Sequence, residues 1–326
     1  MKRLITLSIL SWPLLCAQAQ DATKVIRESA PLSAADSTGK IWTRGATLNL
    51  NITQVSLTNW VAGGNNSLGG IVLFNGFANR HKGKHVWDNS IILAFGGQLQ
   101  SPQGYALTDD VAAIVKTDDR IELNSKWGRE LKKPWFLSFL GQFKTQFTEG
   151  FDGTGTRISN LFAPAYLILA PGIDYRPNDN FSVFISPSAM KLTLVNDKRL
   201  FSGLADDARV FGVKNGSTTE VELGGYLRAQ YTKELSKNFT FLTRGDLYSN
   251  YLRNPQNIDV SWETLWTLKV NSWFAASLNT LLLYDHDIDV PKLKDETIGG
   301  VTTKVSTSGP GAQFKQTLGI GLSFKL

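Results

Sequence analysis

The sequence closes on the run from Gln313 to Leu326, whose residues alternate in character. Phe314, Leu318, Ile320, Leu322, Phe324 and Leu326 share one parity. Gln313, Lys315, Thr317, Gly319, Gly321, Ser323 and Lys325 share the other. Residues two apart lie on the same face of a strand, so the run reads as one strand with an apolar face and a small or polar face. That division suits a strand crossing a membrane as part of a closed barrel, apolar side to lipid and polar side to the lumen. The run also reaches the last residue, as a barrel's closing strand would.

The same alternation recurs upstream from Trp42. It marks strands over 44–56, 67–79, 86–100, 115–128, 135–148, 162–175, 181–196, 219–233, 239–251, 257–270 and 273–285, twelve with the closing one. Pro164, Pro171 and Pro187 interrupt the sixth and seventh; proline in a ladder implies a bulge or a strand end. Every other connection is short: 81–84, 129–134, 176–180, 234–238 and 271–272. Between them lie 57–66, 101–114, 149–161, 197–218, 252–256 and 286–312. Short periplasmic turns alternating with longer outer loops, around an even number of strands, are expected of an antiparallel up-and-down outer-membrane β-barrel. Trp87, Trp127, Trp135, Tyr175, Phe181, Tyr231, Phe239, Trp273 and Phe324 all stand beside the short turns, which predicts an aromatic girdle at the periplasmic interface.

Composition narrows the alternatives. A lipid-spanning helix needs about 20 apolar residues; the best stretch, 161–170, is too short and contains Pro164. A membrane protein without such helices must close a sheet on itself. Residues 1–19 read as a secretory signal peptide, with Lys2 and Arg3, an apolar core from Leu4 to Leu15, and a cleavage site at Ala17-Gln-Ala19. Residues 20–41 lack periodicity and read as a flexible periplasmic lead-in, leaving 42–326 for the barrel. Cys16, the only cysteine, falls inside the leader, and Leu15 stands where a lipoprotein signal needs a small residue. The net charge of +6 drops to +4 once Lys2 and Arg3 are removed. The remaining cations are scattered, so no nucleic-acid partner is expected.

Candidate site residues follow from parity. Glu122 and Lys126, Lys144, Glu222 and Arg228, Arg244 and Asp246, Glu263 and Lys269, and Lys315 with Lys325 all fall on predicted inner faces. Both charge signs are present, which fits a narrow aqueous pore or cross-paired charges that plug it. A lumen of about twelve strands lies between the filled eight-stranded barrels and the open porins. Lys116-Thr-Asp-Asp-Arg120 reads as a salt-bridge network near the outer rim or as a polar loop edge, and Arg244-Gly-Asp246 as lumenal. Asn59-Trp60-Val-Ala-Gly63-Gly64 is unusual for an exposed loop: the glycines permit close approach and Trp60 is costly to expose. It is expected to fold into the mouth as a constriction, or to form a plain hairpin loop with one interfacial Trp.

The chemical candidates are few. With three histidines, and Gly83, Trp87 and Ile288 two residues after them, the His-x-Ser pattern of barrel phospholipases is absent. Asp285, Asp287 and Asp289 around His286 are a weak candidate for a calcium ion, and His286 for a base towards water at the rim. A solvated acidic loop is the simpler reading. No cofactor is expected.

Several stretches carry a family resemblance: Thr53 to Ser67, Lys116-Thr-Asp-Asp-Arg-Ile-Glu-Leu123, Phe143-Lys-Thr-Gln-Phe147, Ile158 to Tyr166 and Gln313 to Leu326. Together they resemble an uncharacterised bacterial family, domain of unknown function 3078, over nearly all of 42–326. The resemblance implies no activity. The closing strand looks like the signal read by the outer-membrane barrel assembly machinery, although it ends on Leu326 and not on an aromatic. The sequence thus points to a non-enzymatic outer-membrane barrel in contact with lipid, expected to pass small solutes. The alternatives are a structural or partner-docking barrel and a rim hydrolase.

Overall fold

The computed structural model describes residues 41–55, 65–102, 113–151, 155–271, 273–298 and 301–325. The predicted signal peptide and nearly all of the lead-in lie outside them, as do Asn59, Trp60, Gly63 and Gly64 of the expected constriction. Among the described residues, twelve strands close into one antiparallel barrel. They are β1 (Trp42–Val55), β2 (Asn65–Lys82), β3 (His85–Pro102), β4 (Ala113–Lys132), β5 (Trp135–Thr145) and β6 (Ala165–Asn178). After these come β7 (Phe181–Leu194), β8 (Thr219–Ser236), β9 (Phe239–Asn250), β10 (Ile258–Lys269), β11 (Phe274–Tyr284) and β12 (Gln313–Lys325).

Each strand pairs with its sequence neighbours, and β12 closes the ring onto β1 with Leu50 opposite Leu322 and Thr47 opposite Lys325. The strands run further towards the short turns than their alternation predicts. β2 reaches Lys82, β4 reaches Lys132 and β8 reaches Ser236. In β4 and β8 the pairing continues through a bulge, between Glu130 and Lys132 and between Glu234 and Ser236, which breaks the period of two.

The period of two resolves into two environments. On β4, Leu123 and Trp127 are 42 % and 41 % exposed, while Glu122 and Lys126 between them are 1 % and 3 % exposed. Large apolar side chains therefore point out, and charges point in. Trp87, Trp127, Trp135 and Trp273 face outward beside the short turns, as expected. A second outward aromatic group lies towards the long loops, where Phe95 meets Phe147 edge-on and Phe143 approaches Phe162.

Away from the short turns, two further bulges reset the alternation among the described residues. In β4, Gly96 pairs with Asp118 but Gly97 with Lys116, so Thr117 is an extra residue. In β7, Tyr226 pairs with Ser186 but Gly224 with Ala189, so Pro187 and Ser188 together oppose Gly225. Proline cannot donate to a ladder, and a bulge removes the need. The bulge inverts parity: Ser182, Phe184 and Ser186 face inward before it, and Ala189 and Thr193 after it. Gly172 of β6 lies against this kink, where an added Cβ would collide with the Ile185 carbonyl oxygen.

The lumen is not polar throughout, which corrects the sequence expectation. Leu140, Ala170, Phe184, Ala189, Tyr226 and Tyr248 from β5 to β9 pack together inside the barrel. This part of the interior is thus filled as a protein core, in the manner of small barrels. A second apolar cluster lies beyond the long-loop ends. Ala163, Val195, Leu200, Phe201 and Val213 bring the 146–164 and 195–218 connections together. A single turn of 3-10 helix, Lys198–Phe201, and a small hairpin, Arg209–Val210 with Val213–Lys214, shape the second connection. Its turn residues Phe211 and Gly212 both have positive φ, 52° and 83°, as a two-residue hairpin turn demands.

Candidate functional site

Charges converge in the lumen in three groups. Nearest the short turns, Lys126 Nζ lies 2.6 Å from Asp174, Arg176 Nε lies 2.6 Å from the same carboxylate, and Arg176 Nη1 reaches Asp88 at 2.8 Å. Two cations meet two anions, with Arg176 over the Phe136 ring and Lys126 over Phe184. The pairs are buried, from Asp174 at 0 % to the Arg176 side chain at 8 % exposure.

At mid-height a belt crosses from β4 to β8, β9 and β10. Arg244 is its hub, 2.9 Å from Glu122, 3.1 Å from Glu263 and 3.5 Å from Asp246. Arg120 reaches Glu263 at 3.2 Å, and Arg228 lies 2.6 Å from Asp246. Three cations balance three anions. The Asn124 and Gln142 amides donate to Glu122, Asn279 donates to Glu263, and Arg228 spans the lumen to the Asn124 side-chain oxygen at 3.2 Å. Such supporting hydrogen bonds are what a buried ion pair needs to offset its desolvation. Beside the belt, along β2, β3, β10 and β11, remains a cavity of about 100 Å³ lined in part by Asn75, Ser90, Arg120, Glu263 and Asn279.

Towards the long loops the balance fails. Lys191 serves Asp259 at 3.0 Å, Glu222 at 3.3 Å and Asp285 at 3.8 Å, one cation among three carboxylates. Lys315 of β12 meets Asp118 of β4 at 2.9 Å, and Lys116 meets Asp119 at 2.9 Å. The 116–120 segment is therefore a salt-bridge network and not a loop edge.

The predicted site residues divide accordingly. Glu122, Arg228, Arg244, Asp246 and Glu263 form the belt, while Lys126 and Glu222 join the groups on either side of it. Lys144 faces Glu122 across the β4–β5 register. Lys269 lies at the short-turn end on the inner parity of β10. Asp88, Asp174, Arg176, Lys191 and Asp259 are lumenal residues that alternation did not single out.

The acidic loop is organised by its own backbone. Asp285 accepts the Asp287 amide at 2.8 Å, and the His286 ring faces the Tyr284 hydroxyl at 3.4 Å. Asp285 turns towards Lys191. Among the described residues no three His, Cys, Asp or Glu side chains converge as a metal site.

Outside the barrel wall, Asp197 ties the two packed loops together. It accepts from Arg199 Nε at 2.8 Å and from Asn160 at 3.0 Å, and lies 3.6 Å from Arg157. The Arg199 guanidinium foremost, then Asn160 and the Arg199 backbone amide, hold its carboxyl well below the usual carboxylate range. The depressed folded value means that Asp197 stabilises the loop above the unfolded carboxylate range of about pH 4. The contribution is lost as pH falls through the folded value. Asp197→Asn is expected to speed amide exchange in 198–210 on the order of tenfold at neutral pH, the scale of a lost charge-assisted bond. The variant's exchange should then lose the wild-type acid dependence. Identical protection in the two proteins would remove this role.

The family described as "Protein of unknown function (DUF3078)" matches residues 52–151, so the resemblance read in the sequence is borne out over that part of the chain. No curated protein matches. Among solved structures, an outer membrane channel from Pseudomonas putida F1 is 9 % identical, with a TM-score of 0.35, over 90 % of this chain and 100 % of that one. OmpT, an outer membrane protein of Vibrio cholerae, is 9 % identical, with a TM-score of 0.29 and the same coverages. A Pseudomonas aeruginosa FadL homologue is 10 % identical, with a TM-score of 0.26, over 87 % of this chain and 88 % of that one.

Proposed function

We propose that the protein spans a bacterial outer membrane and passes only ions and small solutes, restricted by the ion-pair belt at mid-lumen. The outward face supports the location. Rows of exposed Leu, Ile, Phe and Trp around a closed sheet would be unsustainable in water and are what lipid requires. The twelve strands place the two ends of the barrel chain together at the short-turn end, which this reading assigns to the periplasm. Outer-membrane lipids and the barrel assembly machinery are then its partners. A cleaved leader at 1–19 would deliver it there.

The observation that carries the restriction is the belt itself. Balanced charges bridge opposite walls and leave a cavity of about 100 Å³, space for a few waters at about 30 Å³ each in the liquid. In planar bilayers the wild-type protein is expected to give small conductance steps, and in liposome swelling to exclude disaccharides. Glu263→Ala, which shortens a belt residue, should raise the step size at least twofold. Porin-like disaccharide flux in the wild type, or a step size unmoved by Glu263→Ala, would overturn the reading.

The packed outer loops favour a second reading, a docking barrel. The 146–164 and 195–218 connections share an apolar core of their own and are fastened by Asp197, which makes a defined platform for a partner. Silence in bilayers from both wild type and Glu263→Ala would favour this role.

A further inference from the structure

Between the belt and the long-loop ends the lumen opens into a pocket of about 220 Å³, lined in part by Lys144, Tyr166, Lys191, Tyr248, Asp259, Tyr284 and Asp285. Its charges are unevenly satisfied. Lys144 faces Glu122 in register and interacts with Asp246, which also lines the pocket, but Arg244 holds the first carboxylate at 2.9 Å and Arg228 the second at 2.6 Å. Among the described residues Lys144 Nζ has neither a hydrogen-bond nor an ion-pair partner of its own. Across the pocket the imbalance has the opposite sign, because Asp259 and Asp285 share Lys191 with Glu222. One end therefore presents a spare ammonium and the other presents spare carboxylates.

The wall between them is aromatic. Lys191 Nζ lies 5.1 Å from the Tyr248 ring centroid. Tyr248 itself is 5 % exposed, and its hydroxyl has no hydrogen-bond partner among the described residues. A buried polar group without a partner is costly, and a ligand can supply the missing bond. A simple anion would satisfy Lys144 but meet the carboxylates. A simple cation would do the reverse. A small molecule carrying both charges satisfies both ends.

We propose that this pocket binds a small zwitterion of α-amino-acid size, its carboxylate towards Lys144 and its ammonium towards Asp259 and Asp285. The assignment deepens the small-solute reading and rests on it for its biological sense. Binding itself is measured independently of conduction. The volume agrees with a ligand of roughly ten heavy atoms, below the usual range of drug-sized sites, and opposed charge placement is how a compact site fixes orientation.

The test is titration calorimetry on the folded barrel in detergent. L-leucine is compared with its two single-charge analogues, 4-methylpentanoate and 3-methylbutylamine. Leucine is expected to bind at least tenfold more tightly than either. Lys144→Gln should weaken leucine at least tenfold and leave the amine within twofold. Asp259→Asn should weaken both leucine and the amine and spare the acid, while Lys144→Arg should retain most of the leucine affinity. Heat-modifiable gel mobility of each variant confirms that the barrel is folded. Equal affinity for leucine and either analogue, or leucine binding unchanged in Lys144→Gln, would overturn the proposal. Leucine binding with this pattern but no conductance would uphold the pocket and sink the channel reading.

Discussion

Arg244→Gln is expected to destabilise the barrel by about 3–5 kcal/mol, the cost of removing one partner from a buried ion pair. Arg244 is the one cation within reach of Glu122, Glu263 and Asp246 together. Glu122 is 1 % exposed, so water cannot replace the lost guanidinium without opening the lumen around it. Arg120 keeps Glu263 and Arg228 keeps Asp246. Glu122 would keep its amide donors from Asn124 and Gln142 and the Lys144 ammonium opposite it in register, which makes no ion pair with it in the wild type. Arg244→Gln combined with Glu122→Gln should therefore recover most of the loss, because the pair then disappears as a neutral unit. The measurement is the urea midpoint of the heat-modifiable form, read as a double-mutant cycle. A cost below about 1 kcal/mol for Arg244→Gln, the level of an exposed pair, would show that the belt is hydrated and loose.

The belt also marks where the sequence is readable and where it is not. Glu122, Arg228, Arg244, Asp246 and Glu263 lie on strands whose alternation is uninterrupted around them, so parity alone places them inside. Lys191 lies beyond the Pro187 bulge, where parity inverts, and the sequence does not say which residue is the extra one. Asp174 and Arg176 alternate with the outward Ile173 and Tyr175, but Pro164 and Pro171 interrupt β6 just before them and leave its parity open in the sequence. Pairing across the lumen is a different kind of information. Arg120 and Glu263 are separated by 143 residues, and only the closure of the ring brings β4 opposite β10. The apolar filling from β5 to β9 is hidden for a related reason: Leu140, Ile168 and Phe184 resemble the outward-facing residues in composition and differ from them only in parity.

The strand pattern itself makes the sharpest test of membrane insertion. Leu123 lies on β4 between Trp127 near the short turns and the Phe95–Phe147 pair towards the long loops, which places it near the middle of the apolar band. An arginine on the lipid face of a barrel costs roughly 2–4 kcal/mol at the midplane and about 0–1 kcal/mol near the interface. Leu123→Arg is therefore expected to cost roughly 2–4 kcal/mol when folding is followed into phospholipid vesicles. Leu131→Arg, at the exposed short-turn end of the same strand, should cost about 1 kcal/mol or less. Both side chains point outward in the wild type, at 42 % and 54 % exposure, so loss of packing is similar and membrane depth is the variable. Equal costs at the two positions would mean that the outward face meets no bilayer. A large cost confined to Leu123 would fix both the facing of β4 and the height of the membrane along it, and with it the depth at which the belt crosses the lumen.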